Sequence, residues 1–312
     1  MNGAVPAPSP WLPTAPCTPG RRCAAHPDPL PADRAAFRPA PAALACARLA
    51  AGLATVLLGV VLLPVAGPLP AAARYALVRL WTRAVVRAFG VRLTVTGALL
   101  PGTGRSALVV ANHVSWLDVP VVAAVLPGRM IAKREVRGWP LLGPLAALGG
   151  TLFIDRDGLR RLPGTVREVA GALAGGGRVT AFPEGSTWCG RHGGRFRPAL
   201  FQAAVDTGSD IQPVRIGYRP EGAAAYVGAD PLGASLWRVA RTPGLTVEIR
   251  ILDPISAIQY PDRRLLAAAA QRAVLPAAYR AVASDSAKRP SASVHQRVSS
   301  NPASASSART PS

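Results

Sequence analysis

From Leu49 to Gly67 the chain runs for nineteen residues without a charged side chain, close to the roughly 20 apolar residues that cross a bilayer core. Such a segment must lie in lipid or be covered by protein, so it restricts every arrangement of the rest. A cleaved leader fits poorly, because the segment begins late, offers no convincing small-residue cleavage site and has Pro64 near its end, followed closely by Pro68 and Pro70. The next stretch, RYALVRLWTRAVVRAFG, repeats Arg74, Arg79, Arg83 and Arg87 at helical spacing beside Leu77, Leu80, Trp81, Val85 and Phe89. That pattern suits a helix at a membrane interface. An ordinary amphipathic helix packed on a domain has the same pattern. Arginines flank the apolar segment on both sides, so charge asymmetry assigns no orientation and leaves spanning and re-entrant insertion both open.

Residues 1–42 are rich in proline and poor in large aliphatics, and residues 284–312 consist mainly of Ser, Ala, Pro and Arg. Both read as disordered arms. Between them, 43–92 reads as a helical membrane anchor and 93–283 as one folded domain. The 36 basic and 16 acidic side chains give a formal charge of +20, which suits an anionic membrane or a phosphorylated substrate. Part of the excess has a compositional source: only Lys133 and Lys288 are lysines, and abundant Arg, Ala, Pro and Gly point to a GC-rich genome. Nucleic-acid capture is disfavoured, since aromatic residues are 5% of the chain and none are interleaved with arginines as stacking platforms. Cys17, Cys23, Cys46 and Cys189 form no CxxC pair, so neither a zinc site nor a disulfide framework is expected.

Beyond Val91, short β-rich runs alternate with helical ones. Strands are expected at LTVTG, ALVVA, RMIAK, TLFI, RVTAF, IQPVRIGY and LTVEIRIL. Helices are expected near 116–126, 134–148, 159–174 and from Pro198 to Thr207, while 219–244 has no assignable pattern. The alternation predicts an α/β domain with a mostly parallel or mixed sheet flanked by helices.

Three segments carry the chemistry. NHVSWLD, residues 112–118, follows the strand ALVVA, and strand ends are where α/β domains place their sites. On a regular helix His113 and Asp118 would point about 140° apart, so cooperation requires a turn before the helix begins. In that turn Asp118 can fix the imidazole tautomer while the other ring nitrogen takes a proton from a hydroxyl. In GTLFIDRD, residues 150–157, Arg156 follows an apolar strand and can grip a phosphate, or pair with Asp155 or Asp157. In RVTAFPEGSTWCG, residues 178–190, Pro183 and Gly185 shape a turn where Ser186 and Thr187 offer hydroxyls and amides. Glu184 would repel a phosphate and suits orienting Arg156 or an acceptor hydroxyl. No GxSxG, GxxxxGK[ST] or HExxH motif occurs, which argues against a serine hydrolase, a P-loop enzyme or a zincin.

Together NHVSWLD, GTLFIDRD and FPEGST, with the proline–valine pair of IQPVRIGY at Pro213 and Val214, resemble the glycerolipid acyltransferase family typified by bacterial 1-acylglycerol-3-phosphate acyltransferases. The resemblance covers residues 91–255. It implies an α/β fold anchored by apolar N-terminal helices, with the site facing the membrane surface. It also implies His113 as general base, Asp118 as its partner, and Arg156, Glu184 and Gly185, with neighbouring Ser186, at the acceptor's glycerol phosphate. The expected reaction moves an acyl group from acyl-CoA or acyl-carrier protein to a lysophospholipid at the cytoplasmic face of the cell membrane, with no metal or organic cofactor. The acceptor could instead be lyso-ornithine lipid.

Overall fold

The computed structural model describes residues 38–97, 106–155, 159–228 and 230–275. Seven strands form one sheet: β1 (Arg92–Thr96), β2 (Ala107–Ala111), β3 (Arg129–Lys133), β4 (Leu152–Ile154), β5 (Arg178–Ala181), β6 (Asp210–Arg219) and β7 (Thr246–Ile251). Their order is β1-β7-β6-β2-β5-β3-β4. Five strands run parallel, whereas β7 pairs antiparallel with β6 and parallel with β1, so β1 and β7 run against the others. The sheet is therefore mixed and mostly parallel. ALVVA occupies β2 and all five of its residues are buried, as expected of a central strand covered on both faces.

Helices cover both faces. On one side, α2 (Ala71–Ala88), α3 (Asp118–Ala123) and α7 (Leu232–Arg241) pack Val85, Val86, Val121, Val122 and Val239 onto the sheet. On the other, α5 (Leu162–Ala174), α6 (Phe201–Thr207) and α8 (Arg263–Val274) contribute Val169, Leu173, Phe201, Leu266 and Ala270. The chain after β2 enters the first layer through α3. The chain after β5 enters the second through α6. Since β2 and β5 are parallel neighbours, their continuations diverge and open a crevice between their C-terminal ends, the usual place for an α/β active site.

Helix α1 (Ala42–Ala66) contains the uncharged segment. Among the described residues it is the one helix long and apolar enough to cross a membrane, and only 11% of its most apolar window is buried. Its inward stripe is small: Ala45, Gly52 and Gly59, seven residues apart, are its buried positions. A Cβ on Gly52 would stand 2.6 Å from the Phe89 ring, and one on Gly59 would stand 2.5 Å from Trp81. These glycines let α2 lie directly against α1, and Trp81 Nε1 donates to the Thr55 carbonyl at 2.8 Å. Leu53, Leu57, Leu58, Val61 and Val65 remain exposed. Helix α2 matches its arginine-rich reading and ends at the domain core through Phe89 and Val91.

Three expectations change. The stretch 134–148 is not one helix but a 3-10 turn over 134–138 followed by α4 (Leu142–Leu148). Pro140 forces Trp139 into an extended conformation, and Leu141 reverses the chain at φ 63°. The unassigned segment 219–244 contains α7, whose Leu232, Ser235, Leu236 and Val239 have helical spacing that its arginines and glycine obscured. Residues 38–41, placed in the N-terminal arm from composition, join the domain: Ala40 is buried and its N–H donates to the Arg241 carbonyl. Residues 1–37 of the first expected arm and all of the second, 284–312, lie outside the described residues, as do 276–283 of the expected domain.

Candidate active site

The strand β2 ends at Ala111, and Asn112 pins the chain as it leaves the sheet. Its side-chain amide donates to the Ile216 carbonyl at 2.9 Å and its side-chain oxygen accepts the Ile216 N–H at 2.8 Å. The following residues turn before α3 begins, as the spacing of His113 and Asp118 requires. Asp118 stabilises that turn from inside: its Oδ2 accepts the backbone N–H groups of Val114 at 2.6 Å and Ser115 at 2.8 Å. The same oxygen lies 2.8 Å from His113 Nδ1. With Asp118 fully buried and the His113 side chain 18% exposed, the arrangement favours a proton on Nδ1 and leaves Nε2 to exchange protons with a substrate.

The loop after β5 closes the other side of the crevice. Phe182 stacks on the imidazole, with ring centroids 4.1 Å apart and planes 16° from parallel. Glu184 is buried, and its two carboxylate oxygens accept from different segments. Oε2 takes the His113 N–H at 2.7 Å and Oε1 takes the Gly194 N–H at 2.9 Å. The Trp188 N–H in turn donates to the His113 carbonyl at 2.7 Å. Both backbone polar groups of His113 are thus held by the segment FPEGSTW, residues 182–188. Burial pushes the Glu184 carboxyl well above its ordinary value, partly opposed by those two amides and reinforced by nearby Asp118.

Gly185 adopts φ 74° and its N–H donates to the Phe182 carbonyl at 3.1 Å, a left-handed turn position that favours glycine. Ser186 is half-buried beside it, and Thr187 donates its hydroxyl to the Tyr226 carbonyl. His113, Asp118, Glu184, Gly185 and Ser186 therefore share one region. Glu184 enters it by holding loop amides, a brace that its charge alone did not suggest. Arg156 and Asp157 lie outside the described residues. Asp155, immediately before them, accepts Arg161 at 3.0 Å and stands 3.6 Å from Arg134.

Two neighbours went unnoticed in the sequence. Tyr218, on β6, donates its hydroxyl to Asp118 Oδ1 at 2.6 Å. Trp116 donates its indole N–H to Ser235 at 3.2 Å and meets Phe89 edge to face at 5.1 Å, linking the turn to α7 and α2. The pairing of β2 with β6 supplies the signal for Tyr218: Ala111 lies opposite Val214, so β6 runs past the end of β2 and carries Tyr218 beneath the turn.

A mixed α/β sheet carries a His–Asp pair just beyond the end of a central strand, an arrangement suited to taking a proton from a hydroxyl. Residues 92–217 match the family described as Acyltransferase. The chain is 38% identical over 206 residues to a lyso-ornithine lipid O-acyltransferase from Pseudomonas aeruginosa, covering 64% of this chain and 78% of that protein. It is 35% identical over 189 residues to a 1-acyl-sn-glycerol-3-phosphate acyltransferase from Neisseria meningitidis serogroup B, covering 59% and 73% of the two chains. The crystal structure of the 1-acyl-sn-glycerophosphate (LPA) acyltransferase PlsC from Thermotoga maritima has the same fold, with a TM-score of 0.59 at 20% identity, over 80% of this chain and 97% of that one. The protein belongs to this acyltransferase family.

Proposed function

We propose that the enzyme acylates the sn-2 hydroxyl of 1-acylglycerol-3-phosphate, using acyl-CoA or acyl-carrier protein as donor, to make phosphatidate. The observation that carries the reading is the His113 Nδ1 to Asp118 Oδ2 contact of 2.8 Å in a turn braced from both sides. His113 Nε2 takes the proton of the acceptor hydroxyl as its oxygen attacks the thioester carbonyl. The new C–O ester bond forms, the C–S bond breaks, and the protonated imidazole returns the proton to the departing thiolate. Asp118 stabilises the transient imidazolium. Glu184 and Gly185 shape the wall of the acceptor site beside Ser186, and Arg156 reads the acceptor phosphate.

A second reading, acylation of lyso-ornithine lipid, is supported by the 38% identity to the Pseudomonas aeruginosa enzyme of that name. The test compares kcat/KM for lysophosphatidate and lyso-ornithine lipid, each with both thioester donors, in wild type and Arg156→Ala. On the first reading lysophosphatidate is preferred and loses roughly 10- to 100-fold in the variant, in line with about 1.5–3 kcal/mol for a hydrogen bond to a charged group. A preference for lyso-ornithine lipid that Arg156→Ala leaves intact overturns it.

The helical pair α1–α2 seats the enzyme in the cytoplasmic leaflet of the cell membrane without spanning it. Helix α1 starts at the domain through Ala40 and α2 returns to it through Phe89. A spanning α1 would require α2 to carry Arg74, Arg79, Arg83 and Arg87 back through hydrocarbon, at about 2.5–3.5 kcal/mol for each charge near the centre. An apolar outer face on α1 with arginines on α2 suits shallow insertion, with cationic side chains at the lipid headgroups. Accessibility of a cysteine placed at the exposed positions Ala234 and Pro68, the latter in the turn between α1 and α2, to an impermeant thiol reagent, on sealed vesicles of either orientation, tests this; opposite sidedness would mean a span.

A further inference from the structure

The Tyr218 hydroxyl lies 2.6 Å from Asp118 Oδ1, the oxygen that faces away from His113. We infer that Tyr218 is a positioning residue that sets both the orientation of Asp118 and the proton affinity of the His113–Asp118 pair. The inference rests on the general-base reading of His113. Asp118 Oδ2 accepts from the His113 ring and from two backbone amides, so the turn fixes that end of the carboxylate. Oδ1 is held instead by a side chain one hundred residues away in sequence, reached only because β6 extends past β2. A carboxylate gripped at both oxygens cannot rotate away from the imidazole. Each further donor also spreads its charge and weakens its pull on the imidazole proton.

Tyr218 is built for constant donation. It is buried on the apolar face shared with Val214 and Ile216, and burial beside Asp118 pushes its phenol well above its ordinary value. The hydroxyl therefore remains protonated across the range in which a histidine base titrates. The other titratable groups facing this cluster, among the described residues, are His113 from the turn itself and Glu184 from the β5 loop, with Cys189 near Glu184. Helix α2 presents the neutral Phe89 to adjacent Trp116, and α7 presents Ser235, which also accepts from Arg238, a cation paired with Asp230. The phenol is the one uncharged donor whose strength can be changed without altering the turn's backbone.

The experiment measures kcat/KM against pH for wild type, Tyr218→Phe, and protein with 3-fluorotyrosine placed at position 218, with His113→Ala as reference. Loss of the hydroxyl leaves Oδ1 without that donor, so the pair holds its proton more tightly whichever member carries it. The acid limb of the Tyr218→Phe profile moves to higher pH by about half a unit or more, and the plateau falls about 10-fold, less than the roughly 10²–10⁴-fold loss of a general base. Fluorination makes the phenol a stronger donor in nearly the same volume, and moves the acid limb to lower pH. A limb that stays in place in the fluorotyrosine protein overturns the inference even if Tyr218→Phe fails to fold. Wild-type profiles for both proteins, with His113→Ala inactive, reject Tyr218 alone. Full activity of folded His113→Ala rejects the general-base reading together with it.

Discussion

The buried carboxylate of Glu184 accepts the backbone N–H of His113 at 2.7 Å, so the FPEG segment and the NHVSWLD segment form one rigid unit. Burial raises the Glu184 carboxyl above its ordinary value of 4.5, so the folded state favours its protonated form. The associated stability is fully present below about pH 4.5 and is lost as pH rises through the folded value. Glu184→Gln removes this titration but also replaces one acceptor with an NH2 group facing an amide. The melting temperature of the wild type should consequently fall relative to Glu184→Gln as pH increases from 4 to 8, scanned in about one-unit steps across the carboxyl range. Loss of the brace should also lower kcat by up to about 10-fold, in keeping with about 0.5–1.5 kcal/mol for a hydrogen bond between neutral groups. Parallel melting curves across that range would show that ionisation of Glu184 does not limit stability.

His113→Ala removes the base but leaves the turn's amides on Asp118, so the fold should persist while turnover drops about 10²–10⁴-fold. Asp118→Asn is predicted to lose both turnover and stability, because Oδ2 serves Val114, Ser115 and His113 together. Circular dichroism and steady-state kinetics on the two variants separate these effects. Equal melting temperatures for Asp118→Asn and wild type would contradict the structural part of the Asp118 role.

The α/β class, all seven strands and the meeting of His113 with Asp118 were legible because each depends on local pattern: β-rich runs, and a five-residue spacing that works only across a turn. The partners of that pair were not legible. Glu184 was read as orienting Arg156 or an acceptor hydroxyl, and no local pattern announces that two amides from residues 113 and 194 converge on it. Tyr218 depends on the length by which one strand outruns its neighbour. Helix α7 was hidden by composition, since Arg238 turns inward to Asp230 and to the Ala225 carbonyl instead of marking a solvent face.

Gly59 lies where the Trp81 indole covers α1, and a Cβ there would come within 2.5 Å of the ring. Gly59→Leu should force the two helices apart and break the Trp81 bond to the Thr55 carbonyl, at about 1–3 kcal/mol for overpacking. The indole then becomes more solvated. A lower melting temperature in detergent and red-shifted tryptophan emission are the expected readouts, whereas Val61→Leu, on the exposed face of α1, should change neither. Gly59→Leu with wild-type melting would mean that α1 and α2 separate freely in solution.

The N-terminal boundary of the working enzyme should fall before Ala40. The Ala40 N–H donates to the Arg241 carbonyl at 2.8 Å, and Arg241 Nε returns a bond to the Ala40 carbonyl at 3.2 Å. Arg48 Nη1 reaches the carbonyls of Ala240 and Thr242 at 2.8 and 3.3 Å. Two separate points of the N-terminal segment therefore satisfy the C-terminal end of α7, where helix carbonyls otherwise lack partners. Deleting residues 1–37 leaves both ties in place and should preserve melting temperature and activity. Deleting residues 1–42 removes the Ala40 pair, exposes the end of α7 and leaves Arg48 as the remaining tie. The expected cost is about 1–3 kcal/mol for hydrogen bonds lost at a buried position, seen as a lower melting temperature with kcat nearly unchanged at low temperature. Adding Arg48→Ala to the longer deletion should release α1 from α7 and destabilise the protein further. Identical melting temperatures for the two deletions would show that the Ala40–Arg241 pair does not fasten the helical hairpin to the catalytic domain.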